Sequence, residues 1–139
     1  IHKTMAWGHT MNVNLNAPFL LTQVLLPLLN KPEHSSIVFT SDSSARQAKA
    51  YSGAYGVSLI ALEAYAKILA DELESAQKIR VNTLIPGPVD SPLRKKAFPA
   101  EDKHKLPTVE EIAPAYLYLF SDKSIGITGQ LIDARTFNL

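Results

Sequence analysis

The sequence predicts an α/β fold, in which a parallel β-sheet is flanked by helices within a single domain over residues 1–139. Helical and strand-like segments alternate along the chain, and this order is typical of right-handed crossovers between parallel strands. Hydrophobic residues make up 46% of the 139 residues and charged residues 19%, so the chain can form an apolar core. Three short apolar runs are the strand candidates: 36–40, 80–85 and 129–134.

The two longest helices are indicated by their apolar residues. The segment 17–29 is apolar nearly all round, and Asn16 before it is a candidate helix cap. The segment 54–76 carries two apolar stripes at helical spacing, which predicts two contacting surfaces. Residues 1–11 show no clear pattern.

The remaining chain is predicted as two loops and a third helix. The segment 41–53 is rich in serine, alanine and glycine, and the charged segment 90–107 contains several prolines, so both are predicted to be loops. Thr108 and Glu111 have the spacing of a capping box, which opens a helix ending near Phe120.

Charge and composition exclude several classes of function. Fourteen Lys plus Arg against thirteen Asp plus Glu leave a net charge of +1, so no nucleic-acid or anionic-membrane partner is expected. The chain has no cysteine and its four histidines lack ligand spacing, so no metal site is expected. The longest apolar run, 17–29, is too short to span a bilayer, and no signal peptide is visible. A cytoplasmic protein is therefore predicted.

Candidate reactive side chains follow the first predicted strand. Ser41, Ser43 and Ser44 lie where the carboxyl end of a parallel strand faces a ligand-binding crevice. Tyr55 comes twelve residues after Ser43, at the start of the next helix, and can turn back toward it. This spacing favours Ser43, with Ser41 as the rival. The alternative is that these are ordinary loop serines and a core tyrosine.

This arrangement resembles the short-chain dehydrogenase/reductase family, which has a serine followed about a dozen residues later by Tyr-x-x-x-Lys. Three more segments resemble the family in order and spacing: 13–15, its helix asparagine; 82–89, its strand and Pro-Gly turn; and 126–130, the turn before its last strand. The resemblance covers about residues 12–135, and 97–102 is similar to an uncharacterised bacterial branch.

The resemblance implies a partial doubly wound, Rossmann-like sheet that lacks the N-terminal nucleotide-binding half. It also implies NAD(P)-dependent hydride transfer between an alcohol and a carbonyl group. In the family pattern, Tyr55 is the catalytic acid/base and Ser43 holds the substrate oxygen. Asn14 corresponds to the asparagine that supports the lysine through a water, and a plain helix cap is the alternative for it.

The cofactor implied by the resemblance is NAD or NADP. The residues that match its nicotinamide site are Pro86, Gly87 and Val89 in the Pro-Gly turn. Ser91 stands where a threonine usually meets the carboxamide.

Two departures from the family pattern predict a catalytically impaired protein. Leu59 occupies the lysine position, and Arg46 or Lys49 could replace that cation only by swinging in from the loop. None of the six glycines forms the Gly-x-x-x-Gly-x-Gly turn that cradles the pyrophosphate, so cofactor binding by this chain is in doubt. The sequence therefore predicts a truncated oxidoreductase or pseudoenzyme. A non-catalytic oligomerising or binding module and a decayed gene product are the alternatives.

Self-association is the partner prediction. In the family, the counterparts of helices 17–29 and 54–76 form a dimer as a four-helix bundle. Without the first half of the sheet, strand 36–40 also becomes an apolar edge that can pair with another chain.

Overall fold

The computed structural model describes residues 4–137 and contains one parallel three-stranded sheet with helices on both faces. The strands are β1 (Ser35–Thr40), β2 (Ile79–Ile85) and β3 (Leu131–Asp133), and β2 is the central strand of the sheet. The α/β class and the parallel sheet predicted from the sequence are confirmed.

Within the described chain, two helices precede β1, and two helices lie in each crossover between strands. They are α1 (Thr4–Met11), α2 (Ala17–Leu29), α3 (Ser43–Arg46), α4 (Gly53–Leu73), α5 (Pro92–Ala97) and α6 (Val109–Phe120). A π-helical segment, Asn12–Asn16, joins α1 to α2. Single 3₁₀ turns lie at Glu74–Ala76, Lys103–Lys105 and Asp122–Ser124.

The sheet separates two apolar clusters, because alternate side chains of a strand point to opposite faces. On one face, Val81 packs with Leu62 and Ala66 of α4. On the other face, Leu84 packs with Leu119 of α6. Burial of these apolar side chains holds both helices against the sheet.

The two apolar stripes of α4 have different surroundings. The stripe that contains Leu59, Leu62 and Ala66 is buried in the core. The other stripe faces outward, with Val57 47% exposed and Ile68 56% exposed. Helix α4 contacts both the sheet and the first helical segment within the chain, as predicted, but the stripe with Val57 and Ile68 is buried by neither contact and stays open.

The first helix extends beyond the predicted 17–29 segment. Residues 4–11 are helical, although the sequence shows no pattern there, and the helix continues through Asn16. Asn16 has right-handed helical angles and makes no capping hydrogen bond, so its prediction as a helix cap was wrong. The inner face, with Leu15 and Leu26, packs on the core, while the outer face is exposed and apolar.

Two helices of the described chain are long and apolar enough to cross a bilayer, Met5–Leu29 and Gly53–Ala76. The core helix of a soluble protein passes the same test of length and composition, so a membrane span is only weakly supported.

Two predicted loops contain short helices. Helix α3 lies within 41–53, and α5 lies within 90–107. Each of these short helices is stabilised by its cap, since the side chain of Asp42 or Ser91 accepts a backbone hydrogen bond in the first turn. The capping box of α6 is confirmed. The Thr108 amide donates to Glu111 Oε2 at 2.6 Å, and the Glu111 amide donates to Thr108 Oγ1 at 3.3 Å.

Candidate active site

Tyr55 lies in the first turn of α4, at the carboxyl end of β1. Its hydroxyl donates a hydrogen bond of 2.9 Å to Oδ2 of Asp42. Asp42 also caps α3, since its Oδ1 accepts the Ser44 amide at 2.8 Å. The residue that faces the tyrosine is therefore Asp42, thirteen positions away, and not Ser43, which spacing favoured and which begins α3.

The rival serine and the loop cation are held by a carboxylate of α4. The hydroxyl of Ser41 donates to Glu63 Oε1 at 2.5 Å, and Arg46 Nε donates to Glu63 Oε2 at 2.8 Å. Ser41 and Arg46 are therefore both bonded to the carboxylate of Glu63. Lys49 is exposed and forms no ion pair with a residue that the structure describes.

Leu59 lies one helical turn after Tyr55, where the family has a lysine. Its side chain is 7% exposed and belongs to the apolar cluster under α4. No positive charge is supplied from this position. The pKa of Tyr55 is raised from 10.0 to about 12 by burial first, and then by the hydrogen bond to Asp42 and by its negative charge. The positive charge of Arg94 opposes this rise without reversing it.

Asp42 brings a negative charge to a position that spacing predicted for a neutral serine. Partial burial acts to raise the pKa of its carboxyl group. Hydrogen bonds from Ser44 and Tyr55, together with the positive charge of Arg94, outweigh that effect and lower the pKa below its ordinary value. The carboxylate is therefore ionised at neutral pH, where the neighbouring phenol is protonated.

Asn14 connects the first helix to α4. Its Nδ2 donates to Ser58 Oγ at 3.1 Å, and Ser58 Oγ donates to the Tyr55 carbonyl at 3.0 Å. Asn14 lies inside the π-helical segment and caps no helix. Sequence reasoning missed Ser58, which is completely buried; a serine on an otherwise apolar helix face is the signal that could have indicated it.

The predicted nicotinamide turn lies at the end of β2, with Pro86 and Val89 half-buried. Gly87 has a φ of +75°, and a Cβ built there would lie 2.5 Å from Cδ of Arg135. The Arg135 side chain is held over the turn by two hydrogen bonds to Asp133, one from Nε at 3.0 Å and one from Nη2 at 2.5 Å.

Ser91 and Arg94 lie just beyond this turn. Ser91 Oγ accepts the Arg94 amide at 3.1 Å as the cap of α5. The Arg94 guanidinium binds both carboxylate oxygens of Glu101, at 2.6 and 2.7 Å, and lies 3.8 Å from the Phe98 ring centroid. The Ser91 hydroxyl thus already accepts a bond within the chain.

These residues fit a nicotinamide dinucleotide only at its nicotinamide end. The chain provides the Gly87 turn, which Arg135 covers, and its sequence has no glycine turn for the pyrophosphate. Among residues 4–137, no group of three or more His, Cys, Asp or Glu side chains could hold a metal ion.

A cavity of about 340 Å³ lies away from Asp42 and Tyr55, between α4 and the β3 edge of the sheet. Ala66, Val81 and Leu131 are among its lining residues, and neither Asp42 nor Tyr55 belongs to it.

Comparison with known proteins identifies the class to which this fold and site belong. A family model described as enoyl-(acyl carrier protein) reductase matches residues 2–134. The chain belongs to the short-chain dehydrogenase/reductase family of oxidoreductases, as its motifs had suggested.

Among its relatives, the uncharacterized oxidoreductase YciK of Escherichia coli is 47% identical over 129 residues, covering 93% of this chain and 50% of that protein. The 3-oxoacyl-[acyl-carrier-protein] reductase FabG of Thermotoga maritima is 31% identical over 134 residues, covering 91% and 54%. The crystal structure of a short chain dehydrogenase from Salmonella enterica has a TM-score of 0.93 and 44% identity, covering 97% and 55%. One from Shigella flexneri, complexed with NADP, has a TM-score of 0.91 and 45% identity, covering 96% and 55%. The chain thus spans about half the length of these relatives.

Proposed function

We propose that this chain is the C-terminal, catalytic half of a short-chain dehydrogenase/reductase domain and is catalytically impaired as it stands. The family reaction is NAD(P)-dependent hydride transfer between an alcohol and a carbonyl group, and the Shigella flexneri relative complexed with NADP supports that cofactor class. One observation supports the proposed impairment. Leu59 is buried in the core one turn after Tyr55, whose hydroxyl is bonded to the ionised Asp42.

The impairment follows from the proton that Tyr55 must exchange. With a pKa of about 12, roughly one Tyr55 phenol in 10⁵ is ionised at neutral pH. Its proton is also engaged with Asp42 and not directed at a ligand. Positioned acid/base catalysis contributes about 10²–10⁴-fold to rate, so losing it removes most turnover.

A turnover assay with NADPH on a panel of alcohols and carbonyl compounds tests this proposal. We compare the wild-type chain with Leu59→Lys, with Asp42→Ser and with the double variant, and titrate NADPH binding to each by fluorescence. We expect only background turnover from the wild type. Tyr55→Phe is the control, because wild-type turnover that this substitution abolishes would show that the site is active and the proposal wrong.

We propose a second role, self-association through α2 and α4, because the outward faces of both helices are apolar. Val24 and Leu28 of α2 are 73% and 55% exposed, and Ile60 and Ile68 of α4 are 42% and 56% exposed. Strand β1 is also at the edge of the described sheet.

Native mass spectrometry at tens of micromolar should give a dimer or larger species. Val24→Glu should shift it toward monomer, whereas Glu72→Gln, on an exposed polar position of α4, should not. A monomeric wild type would contradict the proposal.

We also propose that the protein is cytoplasmic, and its net charge of +1 supports the absence of a nucleic-acid or anionic-membrane partner. Sedimentation with lipid vesicles tests the membrane part directly, since Met5–Leu29 is apolar enough to insert. Co-sedimentation that persists at high salt would contradict it.

A further inference from the structure

Asp42 and Tyr55 both have hydrogen-bond acceptors that a ligand at the surface beside them could use. An ionised carboxylate only accepts, and each of its oxygens can accept more than one bond, so Asp42 keeps free acceptor positions next to the bonds from Ser44 and Tyr55. The single proton of the Tyr55 hydroxyl is committed to Asp42, so its oxygen offers lone pairs to a ligand. A serine in place of Asp42 could instead donate its hydroxyl proton to a carbonyl oxygen.

The two arginines near Asp42 are each paired with another carboxylate. Arg94 is bound through two nitrogens to Glu101, and Arg135 is bound through two nitrogens to Asp133. Asp42 forms no salt bridge with a residue of the described chain. Arg94 lowers the pKa of Asp42 through its charge but forms no ion pair with it, so the Asp42 carboxylate can still accept a charged donor from a ligand.

We infer that Asp42 reverses the hydrogen-bond polarity of the site beside Tyr55, so that this site binds a hydrogen-bond donor, a primary ammonium group above all, and rejects a carbonyl oxygen. An ammonium group carries three donors and a positive charge, which match the acceptors of Asp42 and Tyr55. A carbonyl oxygen has no proton to offer and would lie against a carboxylate. The pair is reachable, since Asp42 is half-buried and Tyr55 is 44% exposed. This inference rests on the proposed function, because it takes the surroundings of Tyr55 as the substrate position.

Two probes with the same six-membered ring test the inference, cyclohexylamine, which is protonated at neutral pH, and cyclohexanone. Binding is read from the ring-carbon NMR signal of Tyr55 in protein with ¹³C-labelled tyrosine, assigned by its loss in Tyr55→Phe. Neither cofactor nor turnover enters this measurement, so its result is independent of whether the chain is an active enzyme.

The deciding variant is Asp42→Asn. Its amide oxygen can still accept the Ser44 amide and preserve the cap of α3, while its NH₂ group presents donors in place of Oδ2. Asp42→Ser, which also caps a helix well, is the second variant if the first folds poorly. Asp71→Asn, which removes an exposed carboxylate of α4, is the control for a general change of charge.

We expect the wild type to bind cyclohexylammonium at least about tenfold more tightly than cyclohexanone, and Asp71→Asn to keep that ratio. In Asp42→Asn and Asp42→Ser the ratio should fall by about tenfold or more. The inference is overturned by a wild type that binds both probes equally or prefers the ketone. An unchanged ratio in the Asp42 variants overturns it as well, as does the absence of any Tyr55 shift with either probe up to about 50 mM.

Discussion

The hydroxyl of Tyr55 donates a hydrogen bond of 2.9 Å to Oδ2 of Asp42, which connects the first turn of α4 to the loop after β1. The effect of this bond adds to that of Leu59, which is buried one turn further along the helix. Leu59 has no positive charge that would favour the phenolate form of Tyr55, and the negative charge of Asp42 disfavours that form. Both residues therefore keep Tyr55 protonated, and the electrostatics of the site are the opposite of those that the family mechanism needs.

The free energy of unfolding should fall as the pH rises from about 10 to about 12, partly because of Tyr55. Its pKa is about 12 in the folded protein against an ordinary value of 10.0, so the folded state holds more protons in this window. This stabilisation is complete below pH 10 and lost above pH 12. Urea unfolding at closely spaced pH values measures the slope.

Tyr55→Phe removes the titrating hydroxyl and should make that slope shallower, and Asp42→Asn should do so in part. Tyr65 also has a pKa raised chiefly by burial, so Tyr65→Phe is the matched comparison for the share that is not due to Tyr55. An unchanged slope in Tyr55→Phe would show that the Asp42 bond does not hold the proton in solution.

A lysine in place of Leu59 should lower the free energy of unfolding, and the size of this decrease should depend on Asp42. Leu59 is 7% exposed in an apolar cluster, so Leu59→Lys should lower the free energy of unfolding by about 2–5 kcal/mol. Leu59→Met, which keeps the volume, should cost less than about 1.5 kcal/mol. Urea unfolding measures both.

The dependence on Asp42 appears in a double-mutant cycle. A lysine one turn after Tyr55 can approach the Asp42 carboxylate. Leu59→Lys should therefore lower the free energy of unfolding by at least about 0.5 kcal/mol more in an Asp42→Ser background than in the wild type. Strict additivity of the two substitutions would mean that a lysine at this position points away from the site.

Much of the fold could be predicted because hydrophobic periodicity determines which segments pack. The β1 and β2 strands begin within one residue of their predicted starts, because both are short apolar runs between turns. Residues 4–11 show no periodicity because that helix has hardly any buried face, and pattern reasoning therefore found nothing there. Helix α3 was missed because its stability depends on a local cap and not on an apolar stripe.

The site was predictable only where helical geometry determines it. Leu59 comes four residues after Tyr55 and therefore lies on the same face of the helix, so the missing lysine was visible in the sequence. The partner of Tyr55 was not, because a separation of twelve residues cannot be distinguished from thirteen without knowing that Asp42 is extended (φ −132°, ψ 133°) and Ser43 is helical. The approach of Arg135 to Gly87 depends on tertiary packing and leaves no signal in the sequence.

Gly87→Ala should destabilise the protein for two separable reasons. A φ of +75° costs a residue with a Cβ about 1–2 kcal/mol, and the new Cβ would lie 2.5 Å from the Arg135 side chain. Arg135→Ala removes only the second part, so Gly87→Ala should cost less in that background while keeping about 1 kcal/mol of penalty. Thermal unfolding of the four proteins in this cycle measures both parts. An equal cost in the two backgrounds would show that Arg135 moves aside freely.

Asn82→Ala should loosen the attachment of β3, because the buried Asn82 side chain makes two of the hydrogen bonds that hold the turn before that strand. Asn82 is 1% exposed, and its Nδ2 donates to the Ile127 carbonyl at 2.7 Å while its Oδ1 accepts the Gln130 amide at 3.1 Å. Alanine leaves both backbone groups without a partner, which should lower the free energy of unfolding by about 2–4 kcal/mol.

Amide hydrogen exchange at Gln130 should accelerate well before exchange in β1 does. Gln130→Ala is the control, since its side chain bonds only to the nearby Thr128 carbonyl. Exchange that accelerates equally in both variants would place the support of this turn in the backbone and not in Asn82.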